Sequence, residues 1–177
     1  MADRYAVWFC AGSATIDPKF NILADKAVRA ACELGYGAVS GGTIRGTMKV
    51  VADAAQACGA PNRGILPRFM KGLEHPGLTE LIWTDTMSER KEEMRKGTCL
   101  AIALPGGVGT MDEFFETFTL AKLKKYDGRL VAFNYDGFYD GLKALLDHFV
   151  ETEMLDRESR ALVSFPETLD EFISCIR

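Results

Sequence analysis

Leu104-Pro105-Gly106-Gly107-Val108-Gly109-Thr110-Met111-Asp112-Glu113 follows directly on an apolar run, Cys99-Leu100-Ala101-Ile102-Ala103. That run carries no polar side chain beyond a thiol, the pattern of a strand buried on both faces in a parallel sheet. Pro105 ends the strand, and Gly106, Gly107 and Gly109 let the backbone turn tightly and lie bare. Thr110 stands three residues before Glu113, the spacing of a capping box. Phe114, Phe115, Phe118 and Leu120-Ala121 carry a helix onward. The order is strand, glycine-rich turn, helix N-terminus. Free N–H groups and the helix dipole converge there, which suits a phosphate.

The arrangement recurs upstream. Gly37-Ala38-Val39-Ser40 is a short strand candidate, Gly41-Gly42-Thr43-Ile44-Arg45-Gly46 a turn, and Thr47 to Ala57 a helix. Two such turns suggest one anion site or two neighbouring ones. Neither is a G-x-x-x-x-G-K-[ST] loop, and neither has G-x-G-x-x-G spacing with an acidic residue about 20 positions on. This argues against an ordinary P-loop NTPase and an ordinary dinucleotide dehydrogenase.

Outward from these turns, strands and helices alternate. Tyr5 to Cys10 is a first strand. Asp17 and Pro18 form a helix start, Asp as N-cap and Pro at the first helical position, and Gly35 closes that helix. Asn62 to Leu66 is a strand, Pro67 to Pro76 an irregular loop, and Glu80 to Thr84 a strand. Thr86 to Glu89 repeats the capping-box spacing and opens a polar helix to Lys96. Leu130 to Phe133 is a strand, Tyr139 to Val150 an amphipathic helix, Leu162 to Phe165 a strand and Pro166 to Ile176 a helix. Alternation on short connections means a parallel sheet covered on both faces. Ligands in such folds sit at the carboxyl ends of the strands, near the topological switch point. Ser13, Gly41-Gly42, Thr86–Arg90 and Pro105–Glu113 all follow such ends and can line one crevice.

The 177 residues suit one domain, residues 1–177, with a substantial core. The net charge of −4 is dispersed, with no basic stripe for nucleic acid. The N-terminal residues run into a strand without a signal peptide, and no apolar run reaches membrane length. Five cysteines without C-x-x-C spacing read as reduced core thiols of a cytoplasmic protein, not as disulfides or zinc ligands. His75 and His148 read as surface residues outside any metal or nucleophile pattern.

On these residues the chain resembles the LOG (LONELY GUY) family, whose members have been labelled possible lysine decarboxylases. The signature P-G-G-x-G-T-x-x-E is complete from Pro105 to Glu113. An R-K motif at a helix start is matched around Arg90-Lys91, and Cys10-Ala11-Gly12-Ser13 is similar to the family's N-terminal C-G-S-S-like turn. The likeness continues through Asn134–Asp140. It implies a Rossmann-like, doubly wound parallel sheet in three α/β/α layers. It implies hydrolysis of the N-glycosidic bond of AMP-like nucleotides, cytokinin nucleotides included, to a free base and ribose 5-phosphate. It implies no metal or organic cofactor, no nucleic-acid or membrane partner, and a homodimer or larger homo-oligomer. The family's glycine triplet is altered at Ser40 and Lys49, its Leu is Thr47, and Ser88, Leu120 and Lys122 also depart from its pattern. A nucleotide- or molybdenum-cofactor carrier without turnover is the alternative. Lysine decarboxylation ranks last, since no motif singles out a lysine for pyridoxal phosphate.

The resemblance makes Glu113 and Arg90 the catalytic candidates. A ribosyl C–N bond breaks through an oxocarbenium-like transition state, which a carboxylate and a positioned water assist. The plain alternative for Glu113 is a capping partner of Thr110; for Arg90, flanked by Glu89, Lys91, Glu92 and Glu93, it is a solvated face. Ser13, Gly41, Gly42, Gly46, Lys91, Pro105, Gly106, Gly107, Gly109 and Thr110 are the candidates for substrate and phosphate contacts. Turn geometry alone is the alternative for each glycine. Arg45 is either a phosphate contact or a surface residue.

Overall fold

The computed structural model describes residues 4–177. The extreme N-terminus, where the absence of a signal peptide was expected, lies outside the described residues. Seven strands, β1 (Arg4–Phe9), β2 (Tyr36–Ser40), β3 (Asn62–Pro67), β4 (Glu80–Thr84), β5 (Leu100–Ala103), β6 (Arg129–Ala132) and β7 (Val163–Ser164), form one sheet. The order is β4-β3-β2-β1-β5-β6-β7 and every pairing is parallel. The chain builds outward from β1 to one edge, then returns to lay β5 against the other side of β1, pairing Trp8 with Ile102. The β1/β5 boundary is therefore the switch point.

Alternation along the strands decides which layer each side chain enters. Ala6, Trp8, Leu100 and Ile102 pack with α1 (Pro18–Glu33), α2 (Gly46–Ala57) and α7 (Leu169–Ile176). Val7, Phe9, Ala101 and Ala103 face the opposite way, against α3 (Met87–Arg95), α4 (Val108–Lys122) and α5 (Asp140–Glu151). This is the three-layer, doubly wound fold. Trp8 and Phe9 are 1% exposed, and each such side chain contributes ~1.5–3 kcal/mol relative to exposure.

Most boundaries follow the local signals. The Asp17 carboxylate accepts the Lys19 N–H at the start of α1. Thr86 and Glu89 cap α3 reciprocally. Three expectations fail. The stretch from Pro67 to Pro76 contains a 3-10 turn, Arg68–Met70, and Glu74 forms a β-bridge with Thr43, because the first glycine-rich turn offers it open backbone groups. The last helix begins at Leu169, where Thr168 caps the Glu171 N–H, and a short helix α6 (Arg157–Arg160), capped by Asp156, precedes β7. Thr110 is no cap: α4 starts at Val108 with Gly107 as N-cap, so Thr110 already lies inside the first turn. Among the described residues no helix is long and apolar enough to cross a membrane.

At the amino end of the sheet, the Tyr36 hydroxyl donates to the Ile176 carbonyl at 2.7 Å. It accepts from Arg4 and, at 2.8 Å, from Arg129. Arg129 also donates to the Cys175 and Ile176 carbonyls, closing the C-terminus of α7. Tyr36 is 1% exposed. Tyr36→Phe should therefore lower stability by ~0.5–1.5 kcal/mol, read from the urea midpoint at unchanged slope, since it removes a buried hydrogen bond to the Ile176 carbonyl while Arg129 still donates to that oxygen.

Candidate active site

The carboxyl ends of β1, β2 and β5 open into a cavity of about 620 Å³, within the size range of small-ligand sites. Ser13, Gly41, Arg90, Pro105, Gly106, Gly107, Gly109, Thr110 and Glu113 all line it. Residues from four distant stretches thus meet where the topology requires.

The floor is a buried ion pair. Arg90 is 6% exposed and Glu113 8%. Arg90 Nη1 donates to Glu113 Oε1 at 3.2 Å, and Arg90 Nε donates to the Ile65 carbonyl at 3.0 Å. Nη2 faces Gly41 so closely that a Cβ there would overlap it. Burial lifts the Glu113 carboxyl from its ordinary value of 4.5 to about 7; the Arg90 charge pulls the other way without overcoming it. Near neutral pH both protonation states are populated, as suits a group acting in acid–base or charge chemistry. The neighbouring Cys10 thiol is pushed far up by burial, with the Glu113 charge adding to it, and remains protonated.

The rim is a helix N-terminus. The first intrahelical bond of α4 runs from Met111 N to Gly107 O at 3.1 Å, which leaves the Val108, Gly109 and Thr110 N–H groups free of intrahelical partners. Thr110 is 2% exposed, and its hydroxyl finds no hydrogen-bond partner among the described residues. A buried hydroxyl beside free N–H groups is an arrangement that can donate several hydrogen bonds to one anion.

Other sequence candidates lie outside the lining. Gly42, with φ +66°, and Gly46 shape the upstream turn; a Cβ at Gly42 would come within 2.6 Å of Gly64 Cα. Lys91 is held by Asp112 at 3.0 Å and Glu116 at 2.5 Å. Arg45 is an exposed N-cap of α2. The Arg90 guanidinium is not on a solvated face, because the Ile65 carbonyl and Glu113 draw it inward. His75 is a correction too: it is 5% exposed, pairs with Asp53 at 2.9 Å and accepts from Gly77 N. Its backbone N–H donates to the Gly42 carbonyl at 2.9 Å, so this segment braces the turn. Cys58 and Cys99 are exposed rather than core thiols. At the altered triplet, the Ser40 hydroxyl accepts the Gly42 N–H at 3.1 Å. Lys49 pairs with Asp53 outside the lining.

The sequence reading missed Trp8, Ile16, Phe20, Met48 and Phe138, which make the cavity's apolar wall. Phe20 and Phe138 meet edge-to-face at 5.3 Å, bracketed by the Lys19–Asp136 ion pair at 2.5 Å. Only the fold brings these residues, distant in sequence, to one wall. The wall suits a flat, weakly polar group and the rim an anion.

A Rossmann-like α/β protein with a cavity at its switch point is what these features define. The family model described as "Possible lysine decarboxylase" matches residues 48–176, and the chain belongs to this family, the LOG family. It is 37% identical over 146 residues to the cytokinin riboside 5′-monophosphate phosphoribohydrolase of Mycobacterium tuberculosis, covering 81% of this chain and 78% of that protein. Identity to the enzyme of the same name from Mycobacterium marinum is 32%, over 92% of this chain and 88% of that one. Among solved structures, the molybdenum cofactor carrier protein of Chlamydomonas reinhardtii superposes with TM-score 0.73 at 17% identity, covering 98% of this chain and 95% of that one. The molybdenum cofactor binding protein of Rippkaea orientalis gives 0.74 at 19%, covering 98% and 94%. At such identity these two structures establish the fold.

Proposed function

We propose that this protein is a nucleoside 5′-monophosphate phosphoribohydrolase. It hydrolyses the N-glycosidic bond of AMP-like nucleotides, cytokinin riboside monophosphates included, to the free base and ribose 5-phosphate. The observation that carries the reading is the buried Arg90–Glu113 pair, set in one cavity with the free N-terminus of α4. The relatives' activity supports it.

The phosphate binds the Val108–Thr110 N–H groups and the Thr110 hydroxyl. The base lies along the Phe20, Met48 and Phe138 wall. This leaves the ribose near Glu113, whose carboxylate opposes the positive charge growing on the sugar and orients water toward C1′. The C1′–N bond breaks, its electron pair leaves with the base, water oxygen bonds to C1′, and the water proton ends on the departing base. Arg90 holds the carboxylate in place and turns its remaining donors toward the substrate. A pyridoxal enzyme would need a lysine in the cavity, and among the described residues none lines it.

The deciding experiment is reverse-phase chromatography of AMP and N6-substituted AMP incubated with the protein and EDTA. Free base should accumulate in EDTA. Base release lost in EDTA would remove the cofactor-free part of the reading, and no base from a broad nucleotide panel would remove the activity. Tight binding by calorimetry without product, unchanged in Glu113→Ala, would favour a carrier instead.

The reading extends to a homodimer or larger assembly. Val108, Met111 and Phe115 follow one another at i, i+3 and i+7 along the outer side of α4, and Val108 is 88% exposed. Light scattering at working concentration should give a mass of at least two chains; one chain's mass would refute the assembly.

A further inference from the structure

Two carboxylates line the cavity, and the proposed mechanism uses only Glu113. The other belongs to Asp17, the N-cap of α1, one turn before Phe20 on the apolar wall. Pro18 follows Asp17 and has no N–H to give. Asp17 Oδ1 therefore takes the next donor, the Lys19 N–H, at 3.0 Å. The Phe20 N–H goes to the Asp17 carbonyl at 3.1 Å, so the first turn leaves Oδ2 without a donor. The Lys19 ammonium stands 3.9 Å from Oδ2, beyond hydrogen-bonding distance, and 2.5 Å from Asp136 instead. Ser13, also in the lining, shares its hydroxyl with Thr15 at 3.0 Å. Asp17 is thus pinned by its cap, and among the described residues one of its oxygens keeps no hydrogen-bonded donor.

We infer that Asp17 selects the base by the group at purine position 6, accepting an amino N–H there and disfavouring a carbonyl. The inference rests on the hydrolase reading above, which puts the phosphate at α4 and the base along Phe20 and Phe138. With both ends of the nucleotide so held, the far edge of the base meets the one carboxylate beside that wall. A carboxylate accepts and does not donate. An amino group at position 6 donates, and it keeps one N–H when its nitrogen carries a single substituent. A carbonyl at the same position sets oxygen against oxygen and leaves both without a partner. A site built to pair a substrate N–H rejects the analogue lacking it. The Asp17 side chain is 55% exposed, so water competes, and the discrimination expected is roughly tenfold. Asp17→Asn inverts the contact. Asparagine caps a helix about as well as aspartate. Only its oxygen can accept the Lys19 N–H, so the amide nitrogen takes the place of Oδ2 and a donor replaces an acceptor.

The test measures kcat/KM of the full chain for AMP, inosine 5′-monophosphate and purine riboside 5′-monophosphate, which carry an amino group, a carbonyl and hydrogen at position 6. Each variant's AMP-to-inosine ratio is divided by the wild-type ratio, which cancels the intrinsic difference between the leaving bases. That ratio should fall roughly tenfold in Asp17→Ala. It should fall further in Asp17→Asn, whose amide donates to the carbonyl. Purine riboside 5′-monophosphate, with nothing at position 6 to pair, should change little. Circular dichroism checks the fold, and Asp17→Asn keeps the cap should Asp17→Ala prove unstable. Equal losses for all three nucleotides in a folded Asp17→Asn protein would mean that Asp17 only caps α1, and the inference is overturned. If no nucleotide releases base, the hydrolase reading fails by itself. The same ratio, taken from dissociation constants by calorimetry, then decides the role of Asp17, and failure to bind AMP would overturn that role as well.

Discussion

Glu113→Gln is expected to lower kcat by ~10²-fold or more while the KM for the nucleotide moves little. The amide keeps the size of the side chain and can still accept from Arg90, but it carries no negative charge to set against the oxocarbenium. Opposing that charge contributes to the transition state and little to the ground state. A lost helix cap cannot be the cause, because Gly107 and not Glu113 starts α4. pH gives a second reading of the same residue. With a carboxyl near 7, the ionised fraction grows as pH rises, so wild-type kcat/KM should climb through about pH 7 to a plateau. The variant should lack that limb. Stability moves in the opposite sense. The folded state binds this proton more tightly than the unfolded chain does, so the contribution is complete below about 4.5 and is lost as pH rises through about 7. The span is roughly 3 kcal/mol, and urea midpoints of wild type and variant across that window measure it. Near wild-type kcat in a folded Glu113→Gln protein would remove the catalytic assignment.

Gly41→Ala should cost kcat/KM ~10²-fold although it removes no chemical group. The added Cβ would overlap Arg90 Nη2 and lie 2.5 Å from Met48 Sδ. The guanidinium must then leave its position, and misplacement by about 1 Å is enough for a loss of that size. Arg90→Ala should be at least as damaging, because Glu113 then sits buried without its counter-charge and the Ile65 carbonyl loses its donor. Since both substitutions act through one guanidinium, Gly41→Ala should add little further loss on an Arg90→Ala background. Additive losses, measured by steady-state kinetics on the four proteins of the cycle, would mean Gly41 serves the substrate directly.

The strand, turn and helix from Cys99 to Lys122 were legible because each is encoded by adjacent residues, as were the Asp17 and Thr86 caps. Thr110 and Glu113 misled because the spacing does not say where the helix begins. Gly107 holds extended angles of −96° and −152°, which starts α4 early and leaves the Thr110 hydroxyl inside it. Arg90 looks solvated among its charged neighbours, and its burial comes from β3 and the glycine turn, elements distant in sequence. His75 is hidden likewise, its partner Asp53 lying on α2. The apolar wall of the cavity leaves no mark at all, since Phe20 and Phe138 meet only once the switch point brings their segments together.

The helix that carries Arg90 has little grease under it. Besides the stem of Arg90 itself, Met94 is the one buried side chain of α3. What fastens α3 to α4 is charge: Lys91 to Asp112 and Glu116, Arg95 to Glu116 at 2.7 Å, and Arg90 to Glu113. The lysine and arginine ends are sheltered, whereas Asp112 is 55% exposed and Glu116 34%. Mobile ions therefore compete on the acidic side of the clip. The arginine at the reaction centre rides on an element whose grip depends on ionic strength, while the sheet beneath is held by buried hydrocarbon that salt does not weaken. Turnover should thus respond to the ionic medium well before the fold does, making the local opening of one short helix the most salt-responsive motion near the cavity.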